Sequence, residues 1–557
     1  MNKTIRRYGW LAFAVLVAIT LLLPVKARVQ ESPQGPVLLP PPPDHLKDVN
    51  PKLDFALQRM ADIYAAEGIE KVREYAAQHM IDMKGDYVRV IAEADSGGLG
   101  SAGLPARVSI ICSEIEALGG RVETSYENLI QNLAHPGTIQ AISRLPKVRL
   151  LRLPLKPFPM TLTSEGVAKT GAGTWQAVTS YRTTEKVKVC IFDLGFKGYA
   201  SLLGTELPSS VTAKSFRADN DIEGNEVHGA ACAEIVHDMA PDADLILVNF
   251  STEVEHHLAV NWIIDQGVKV ISYSIGWKNA GDGKGTGPIC DDVKKAYDAG
   301  IIWCNSAGNE AEHHWEGTFF DSDSDNWMNF SGSNELLVTY GYSCYASMNW
   351  DDWGTWDGTS YSGSNNDYNL YLYYYSGGIW HFIDSSAGSQ NGNDWPTEYV
   401  SAWASAPYYW ALAIYKHSAT RNCKLEIFTS GSYPIDYNVP AGSISVPADS
   451  PYAVTVGATD WNTDALHSYS SRGPTHDGRV KPDFTAPSGV STQTYGYRSF
   501  RGTSAAAPHM AGAFGLISGK APFSVSQIKA ILEGRALDFG ASGKDNLYGI
   551  GRLKLTK

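Results

Sequence analysis

The chain has 557 residues, of which 43% are hydrophobic and 19% are charged, and its formal net charge is −13. This composition excludes a disordered chain, and the length predicts several folded units rather than one core. The sequence contains no basic stripe, zinc-ligand cluster or phosphate-binding glycine loop, and the negative charge also argues against a nucleic-acid partner.

The first 27 residues have the pattern of an export signal. Basic residues precede an uncharged run from Tyr8 to Val25, and Val25-Lys26-Ala27 resembles a signal-peptidase site. Because the apolar core is short, we interpret residues 1–27 as a signal peptide. A retained membrane anchor is the alternative, because the run approaches the length of a spanning helix. In either case the rest of the chain is expected to be secreted or extracytoplasmic.

Residues 28–50 predict a proline-rich linker, and residues 51–160 predict a compact α+β unit. A helical lead-in over Pro51–Met83 precedes a strand, a helix, two strands, a helix and a strand, which is the split βαβ pattern (βαββαβ). These elements are expected at Tyr87–Ala94, Val108–Leu118, near Val122, and at Leu129–Leu133, Thr138–Arg144 and Val148–Leu153.

Residues 161–315 and 443–557 predict an α/β domain. Short apolar strands alternate with helices, which indicates a parallel sheet flanked by helices on both faces. Strands are expected at Val187–Phe192, Asp244–Phe250, Val268–Ile275, Ile301–Ser306 and Tyr452–Gly457. Helices are expected at His228–His237, from Ser504 onward, and at Ser524–Glu533.

Residues 316–442 interrupt this domain with a different composition. Tryptophan and tyrosine are frequent, and alternating runs separated by Gly, Ser and Asn predict an inserted all-β sandwich. The seven cysteines of the chain are too sparse for a disulfide scaffold. Cys344 and Cys423, both in the insertion, are the first candidates for a bridge, although sequence alone does not fix the pairing.

Ser504 lies in Gly502-Thr503-Ser504, directly before an alanine-rich helical segment. Its hydroxyl and its backbone N–H are therefore expected at a helix N-terminus. Unpaired donors and the helix dipole favour negative charge there, as an activated nucleophile and an oxyanion both require. An ordinary helix cap is the alternative for this fragment alone.

Three polar residues upstream supply the other groups that acyl transfer needs. Asp193 ends an apolar strand, where a carboxylate can orient an imidazole. His228 opens a helix and suits a general base. Asn309 follows the strand Ile301–Ser306, and its amide can donate to a developing oxyanion. Each fragment alone is also compatible with an ordinary turn or surface residue.

Taken in chain order with their flanking residues, these positions resemble the subtilisin-like serine peptidases. The run Ser470-Ser471-Arg472-Gly473-Pro474 and the run from Lys481 to Pro487 support the resemblance, which covers about residues 161–311 and 442–553. It implies a serine endopeptidase that acts through an acyl-enzyme. The implied roles are nucleophile for Ser504, general base and then acid for His228, orienting carboxylate for Asp193 and oxyanion donor for Asn309.

The resemblance also implies how substrate and N-terminal unit bind. Ser274, Ile275 and Gly276 match the family's edge segment, which pairs with the substrate backbone. Residues 51–160 resemble the family's propeptide, removed by self-cleavage between about Leu155 and Ser164. The implied partners are protein or peptide substrates and the chain's own propeptide. Ala230 and Ala505 depart from the usual threonine and methionine, but neither change removes a catalytic group.

No metal or other cofactor is required by this chemistry. Asp321, Asp323 and Asp325 have the spacing of a calcium loop without its glycine and distal glutamate, so an acidic turn is favoured and a structural calcium ion is the alternative. His313 and His314 are adjacent and point apart on any regular element, and they are interpreted as the rim of the substrate cleft.

A second class of function stays open at this point. The chain could keep the fold without activity and use the aromatic insertion to bind glycan or protein, although four intact catalytic side chains argue against this. Esterase activity is a further alternative, because an acyl-enzyme serves both reactions. The edge segment Ser274–Gly276 favours peptides.

Overall fold

The computed structural model describes residues 50–79, 81–95, 103–155, 157–159, 166–178, 186–392, 394–431 and 433–556. The predicted export signal, nearly all of the predicted linker, and most of the segment expected to contain the cut lie outside the described residues. Among the described residues, no helix combines the length and the apolar sequence that crossing a bilayer requires.

The N-terminal unit has the elements that the sequence predicts. Its sheet is antiparallel, in the order β1-β2-β4-β3 with β5 also paired to β2. The helices cover one face, where residues such as Leu57, Ile111 and Ile130 are fully buried. The elements are α1 (Phe55–Glu67), α2 (Ile69–Gln78), β1 (Met83–Lys84), β2 (Tyr87–Ala94), α3 (Leu104–Ala117), β3 (Arg121–Tyr126), β4 (Leu129–Ala134), α4 (Ile139–Ser143) and β5 (Val148–Arg152), followed by β6 (Pro157–Pro159).

The next segment begins the α/β domain. The expected strand at 268–275 is divided in two, because Ser274 separates a buried sheet strand from a short edge strand. The elements are α5 (Val167–Thr170), α6 (Ala172–Gln176), β7 (Lys188–Asp193), α7 (Tyr199–Leu202), β8 (Thr212–Ser215), α8 (His228–Met239), β9 (Asp244–Asn249), α9 (Glu253–Asp265), β10 (Val270–Tyr273), β11 (Ile275–Trp277), α10 (Pro288–Asp298) and β12 (Ile302–Ser306).

The inserted segment is all-β, as the sequence predicts. Its described strands are hydrogen-bonded in one six-stranded antiparallel sheet in the order β13-β18-β14-β17-β15-β16. The sheet bends over its own core. The rings of Trp350 in β14 and Tyr368 in β15 are 5.4 Å apart, although β17 lies between these strands. The strands are β13 (His314–Thr318), β14 (Leu337–Trp350), β15 (Asp367–Ser376), β16 (Ile379–Ser386), β17 (Thr397–Ser418) and β18 (Lys424–Ser430).

The proposed bridge between Cys344 and Cys423 is wrong for this structure, where both thiols are free and buried. In the β14–β18 ladder Tyr345 pairs with Ser430 and Trp350 pairs with Leu425, so the two cysteines lie at opposite ends. A ladder of that length separates them by roughly 20 Å or more. A disulfide needs Cα atoms within about 7 Å.

The remaining elements complete the α/β domain. Its sheet has seven parallel strands in the order β20-β19-β12-β10-β7-β9-β8. The alternation along β7 shows why both faces are covered, since Val189 and Ile191 face one core and Cys190 and Phe192 face the other. The elements are β19 (Ala453–Asp460), β20 (Phe484–Ser488), β21 (Val490–Thr492), β22 (Gly496–Phe500), α11 (Thr503–Lys520) and α12 (Val525–Glu533).

Helix α11 packs between the sheet and α8, and its small residues allow the backbones of the two helices to approach closely. A Cβ atom added to Gly512 would lie 2.4 Å from the Met239 Cβ in α8, so only glycine permits this approach. Tight packing of this kind fixes where the first turn of α11 lies relative to the carboxyl ends of the strands. The site is built at that edge of the sheet.

Candidate active site

Asp193 and His228 form a buried pair at the carboxyl end of β7. Both side chains are 1% exposed, and the His228 Nδ1 lies 3.0 Å and 2.9 Å from the two Asp193 carboxylate oxygens. The backbone N–H of Leu194 donates to the same carboxylate at 2.8 Å. Because a carboxylate only accepts hydrogen bonds, Nδ1 carries a proton, and in the neutral imidazole Nε2 keeps its lone pair. The pair can therefore present a base.

Ser504 is the second residue of α11, where backbone N–H groups have no partner within the helix. The preceding Gly502 has φ 103°, a left-handed conformation that glycine tolerates and other residues resist. The Ser504 Oγ is buried and has no hydrogen-bond partner. An unpaired hydroxyl at a helix N-terminus costs stability, so it is the kind of group that a site retains for chemistry.

The Ser504 carbonyl ties the first turn of α11 to the rest of the site. Pro508, four residues later, has no N–H to donate to it, so the usual helical hydrogen bond is missing. The Ser274 hydroxyl donates to this oxygen at 2.9 Å and the Cys232 thiol donates at 3.6 Å. Side chains from β10–β11 and α8 therefore replace the backbone donor.

Cys232 also relates His228 to Ser504. It lies one turn after His228 on α8, and polar atoms of Asp193, His228 and Cys232 lie within 4.8 Å of one another. Burial, with a smaller contribution from Asp193, raises the pKa of the Cys232 thiol well above its ordinary value. In the absence of a bound cation it is therefore a neutral thiol. The thiol instead connects the acid–base pair to the first turn of α11.

Asn309 lies after β12, partly exposed, and its amide is oriented by Thr503. The backbone N–H of Thr503 donates to the Asn309 Oδ1 at 2.9 Å, and the Thr503 hydroxyl donates at 3.1 Å. With Oδ1 engaged, the Nδ2 group is the one left to donate elsewhere. Sequence reasoning missed this function of Thr503, and its position between Gly502 and Ser504 was the only available signal.

The edge strand β11 already carries an extended segment. Strand β6 pairs with it antiparallel, with Pro159 opposite Ile275, Phe158 opposite Gly276 and Pro157 opposite Trp277. This arrangement is strand addition, in which main-chain hydrogen bonds hold a peptide at a sheet edge. Ser274, directly before β11, is turned toward Ser504 through its hydroxyl. The structure therefore brings the predicted edge segment next to the candidate nucleophile.

His314 does not lie at a cleft rim, so this part of the prediction is wrong. It is the first residue of β13 and is fully buried, with Nε2 3.0 Å from Glu426 and Nδ1 2.5 Å from the Val439 carbonyl. The antiparallel pairing of β13 with β18 places it inside the inserted sheet. A histidine next to aromatic residues gave no sequence signal for burial.

The three aspartates of the acidic motif lie close together. Their nearest carboxylate oxygens are within 4.8 Å of one another, and Asp323 and Asp325 are exposed. Asp321 accepts hydrogen bonds from the backbone of Ser324 at 2.7 Å and of Asn326 at 2.9 Å. These bonds are those of a polar turn, and the calcium alternative stays a prediction.

The chain is similar in sequence to known serine proteases. The profile of the subtilase family matches residues 184–344 and 382–551, more than half of the chain. Subtilisin Savinase from Lederbergia lenta is 41% identical over 140 residues, which are 24% of this chain and 46% of that protein. The extracellular serine protease of Serratia marcescens is 30% identical over 165 residues, 25% of this chain and 16% of that protein.

The aligned regions thus span less than half of either curated relative. Among solved structures, the CspB protease of Clostridium perfringens is similar, with a TM-score of 0.49 and 15% identity, over 70% of this chain and 97% of that one. The family profile covers the strands and helices that carry Asp193, His228, Asn309 and Ser504. The chain belongs to the subtilase family.

Proposed function

We propose that the protein is an exported serine endopeptidase that hydrolyses peptide bonds through an acyl-enzyme. The observation that carries this proposal is the buried Asp193–His228 pair, held one helical turn from a thiol that contacts Ser504. Export is supported by the basic and apolar N-terminal sequence, and by relatives described as extracellular.

The chemistry follows from the positions of the donors and acceptors. The Ser504 oxygen bonds to the scissile carbonyl carbon while its proton passes to the His228 Nε2. The carbonyl oxygen becomes an oxyanion near the Ser504 N–H and the Asn309 Nδ2. When the C–N bond breaks, His228 gives the proton to the departing amine. Water then repeats the sequence, releasing the acid and restoring the Ser504 hydroxyl.

The N-terminal unit would act as an inhibitory propeptide. Strand β6, which follows the N-terminal unit, pairs with the edge strand β11 in the way that a substrate strand would. The described ladder ends with Pro159 opposite Ile275, which directly follows Ser274, and the Ser274 hydroxyl contacts the Ser504 carbonyl. We therefore expect self-cleavage directly after position 160, so that the mature chain begins at Thr161.

Labelling with a fluorophosphonate probe tests this proposal. We expect one modified peptide containing Ser504, found by mass spectrometry after digestion, and a new N-terminus at Thr161 found by sequencing. Heat-denatured protein, which has lost the Asp193–His228 geometry, is the matched control and should not react. Native protein that is neither labelled nor processed would contradict the proposal and support the binding-module alternative.

Replacing Asn309 with alanine should lower kcat about 10²–10³-fold, which is the typical cost of one oxyanion donor. KM should change little, because this donor contacts charge that develops only in the transition state. Steady-state kinetics on a peptide substrate measure both constants. Unchanged kcat in a correctly folded variant would mean that the oxyanion is stabilised by other donors.

A further inference from the structure

We propose that the inserted sheet is a second docking surface for the N-terminal unit, with Tyr399 as its anchor. The proposal concerns binding, and its consequence for activation rests on the proposed function above. It assigns the insertion a partner within the same chain: the domain formed by residues 50–155.

The first docking surface belongs to the α/β domain and lies at the start of α9. Glu253 accepts hydrogen bonds from Arg152 at 2.6 Å and from the backbone of Leu155 at 3.1 Å. Glu255 accepts a hydrogen bond from Gln131 at 3.2 Å. These contacts use the carboxylates of a helix N-terminus, and they hold only one side of the N-terminal unit.

The second docking surface for the N-terminal unit lies on the inserted sheet. The Tyr399 hydroxyl in β17 lies 3.0 Å from each carboxylate oxygen of Asp54. Asp54 is the N-cap of α1, because its carboxylate also accepts from the Ala56 N–H at 2.8 Å. The Tyr399 ring packs against the apolar core of the N-terminal unit. One side chain thus supplies both apolar area and a hydrogen bond to a charged group, as interface anchors do.

A second polar contact fixes the orientation of this interface. The His79 Nε2, just after α2, lies 3.0 Å from an Asp384 oxygen of β16. The other Asp384 oxygen accepts from the Ser401 backbone at 2.9 Å, so the carboxylate is held by its own sheet. The His79 ring stacks on Tyr75 at 4.0 Å. Both sides therefore hold their contacting groups in place.

The interface has the character of two separable partners rather than one core. A cavity of about 200 Å³ lies between the units, and its lining includes polar groups from both sides. Those from the N-terminal unit include Asp54, His79 and Glu93, and those from the insertion include Asp384, Glu398 and Tyr399. An incompletely filled contact is packed less tightly than a protein core, as contacts between domains that can separate often are.

Cutting the chain near position 160 would leave both docking surfaces intact, because the residues that the N-terminal unit contributes to these contacts all lie at or before Leu155. The N-terminal unit then stays bound on two faces, and the lifetime of the inhibited complex depends on the insertion as well as on α9. The insertion thus controls how fast the active form is released.

The first test needs no cleavage and uses the full chain with Ser504→Ala. Tyr399→Phe removes only the hydroxyl. The amides of Phe55–Glu67 should then exchange hydrogen about tenfold or more faster, because the interface has lost a hydrogen bond to a charged group. Tyr368→Phe is the matched control, because its hydroxyl bonds within the insertion, to the Arg421 carbonyl at 2.7 Å. Equal exchange in the two variants would overturn the proposal.

The second test tracks the cleaved wild-type protein by gel filtration. The N-terminal fragment should co-elute with the mature chain, and Tyr399→Phe should release it about tenfold or more faster, whereas Tyr368→Phe should release it at the wild-type rate. Release of the fragment at one rate from all three proteins would overturn the proposal. A wild-type chain that never cleaves would instead contradict the proposed function, and the exchange measurement would still decide the docking surface.

Discussion

Replacing Ser504 with alanine is expected to abolish both peptide hydrolysis and removal of the N-terminal unit. The Ser504 oxygen is the atom that forms the acyl-enzyme, and no other hydroxyl in the proposed mechanism can take its place. Losing the nucleophile of such a triad costs about 10⁶ in kcat. Turnover of a peptide substrate and the intact mass of the purified chain measure the two effects.

The variant should nevertheless fold, which separates loss of chemistry from loss of structure. The Ser504 Oγ is buried without a hydrogen-bond partner, so its removal leaves no donor or acceptor unsatisfied. We expect the melting temperature to stay the same or to rise. A processed and active Ser504→Ala protein would contradict the assignment of the nucleophile.

Replacing Asp193 with asparagine should lower kcat about 10⁴-fold while leaving the fold intact. An asparagine amide can donate to the His228 Nδ1, so the imidazole proton would move to Nε2, where the lone pair is needed. Bonds to both Asp193 oxygens at 3.0 Å and 2.9 Å are the contacts that hold the present tautomer. Steady-state kinetics on a peptide substrate provide the measurement.

Asp292→Asn is the matched control for this change. Asp292 is also a buried carboxylate that contacts imidazole nitrogens, those of His256 and His257, at 2.8 Å and 2.5 Å. It lies on α10, outside the candidate site, so its replacement should reduce stability and leave kcat of the folded enzyme within a few-fold. Equal losses of kcat in the two variants would mean that Asp193 acts through stability alone.

The α/β domain could be predicted from the sequence because its signals are local. Apolar strands such as β7 are buried on both faces, and a run of buried residues marks them whatever their neighbours are. The same pattern predicts where strands end and helices begin, and it therefore predicts the positions of residues such as Asp193 and His228. Their assembly is then a result of the rule that parallel strands end at one edge.

The insertion was less predictable, because sequence alternation does not say which strands are neighbours. The same alternation of residues is compatible with two flat sheets and with one bent sheet. The pairing of β14 with β17 depends on residues that are far apart in the chain. The separation of Cys344 and Cys423 depends on that pairing too. Tyr399 gave no signal at all, because its partner Asp54 is 345 positions away.

The pairing of β13 with β18 affects how the protein reaches its native state. These are the first and last strands of the insertion, and His314 lies opposite Phe428. Once the insertion has folded locally, its ends are already together. The parallel partners β12 and β19 are then joined by an effectively short connection, and the entropy of closing that loop falls accordingly. Asn309 lies before the insertion and Ser504 after it, so a chain synthesised only as far as the insertion lacks the nucleophile and carries no complete site.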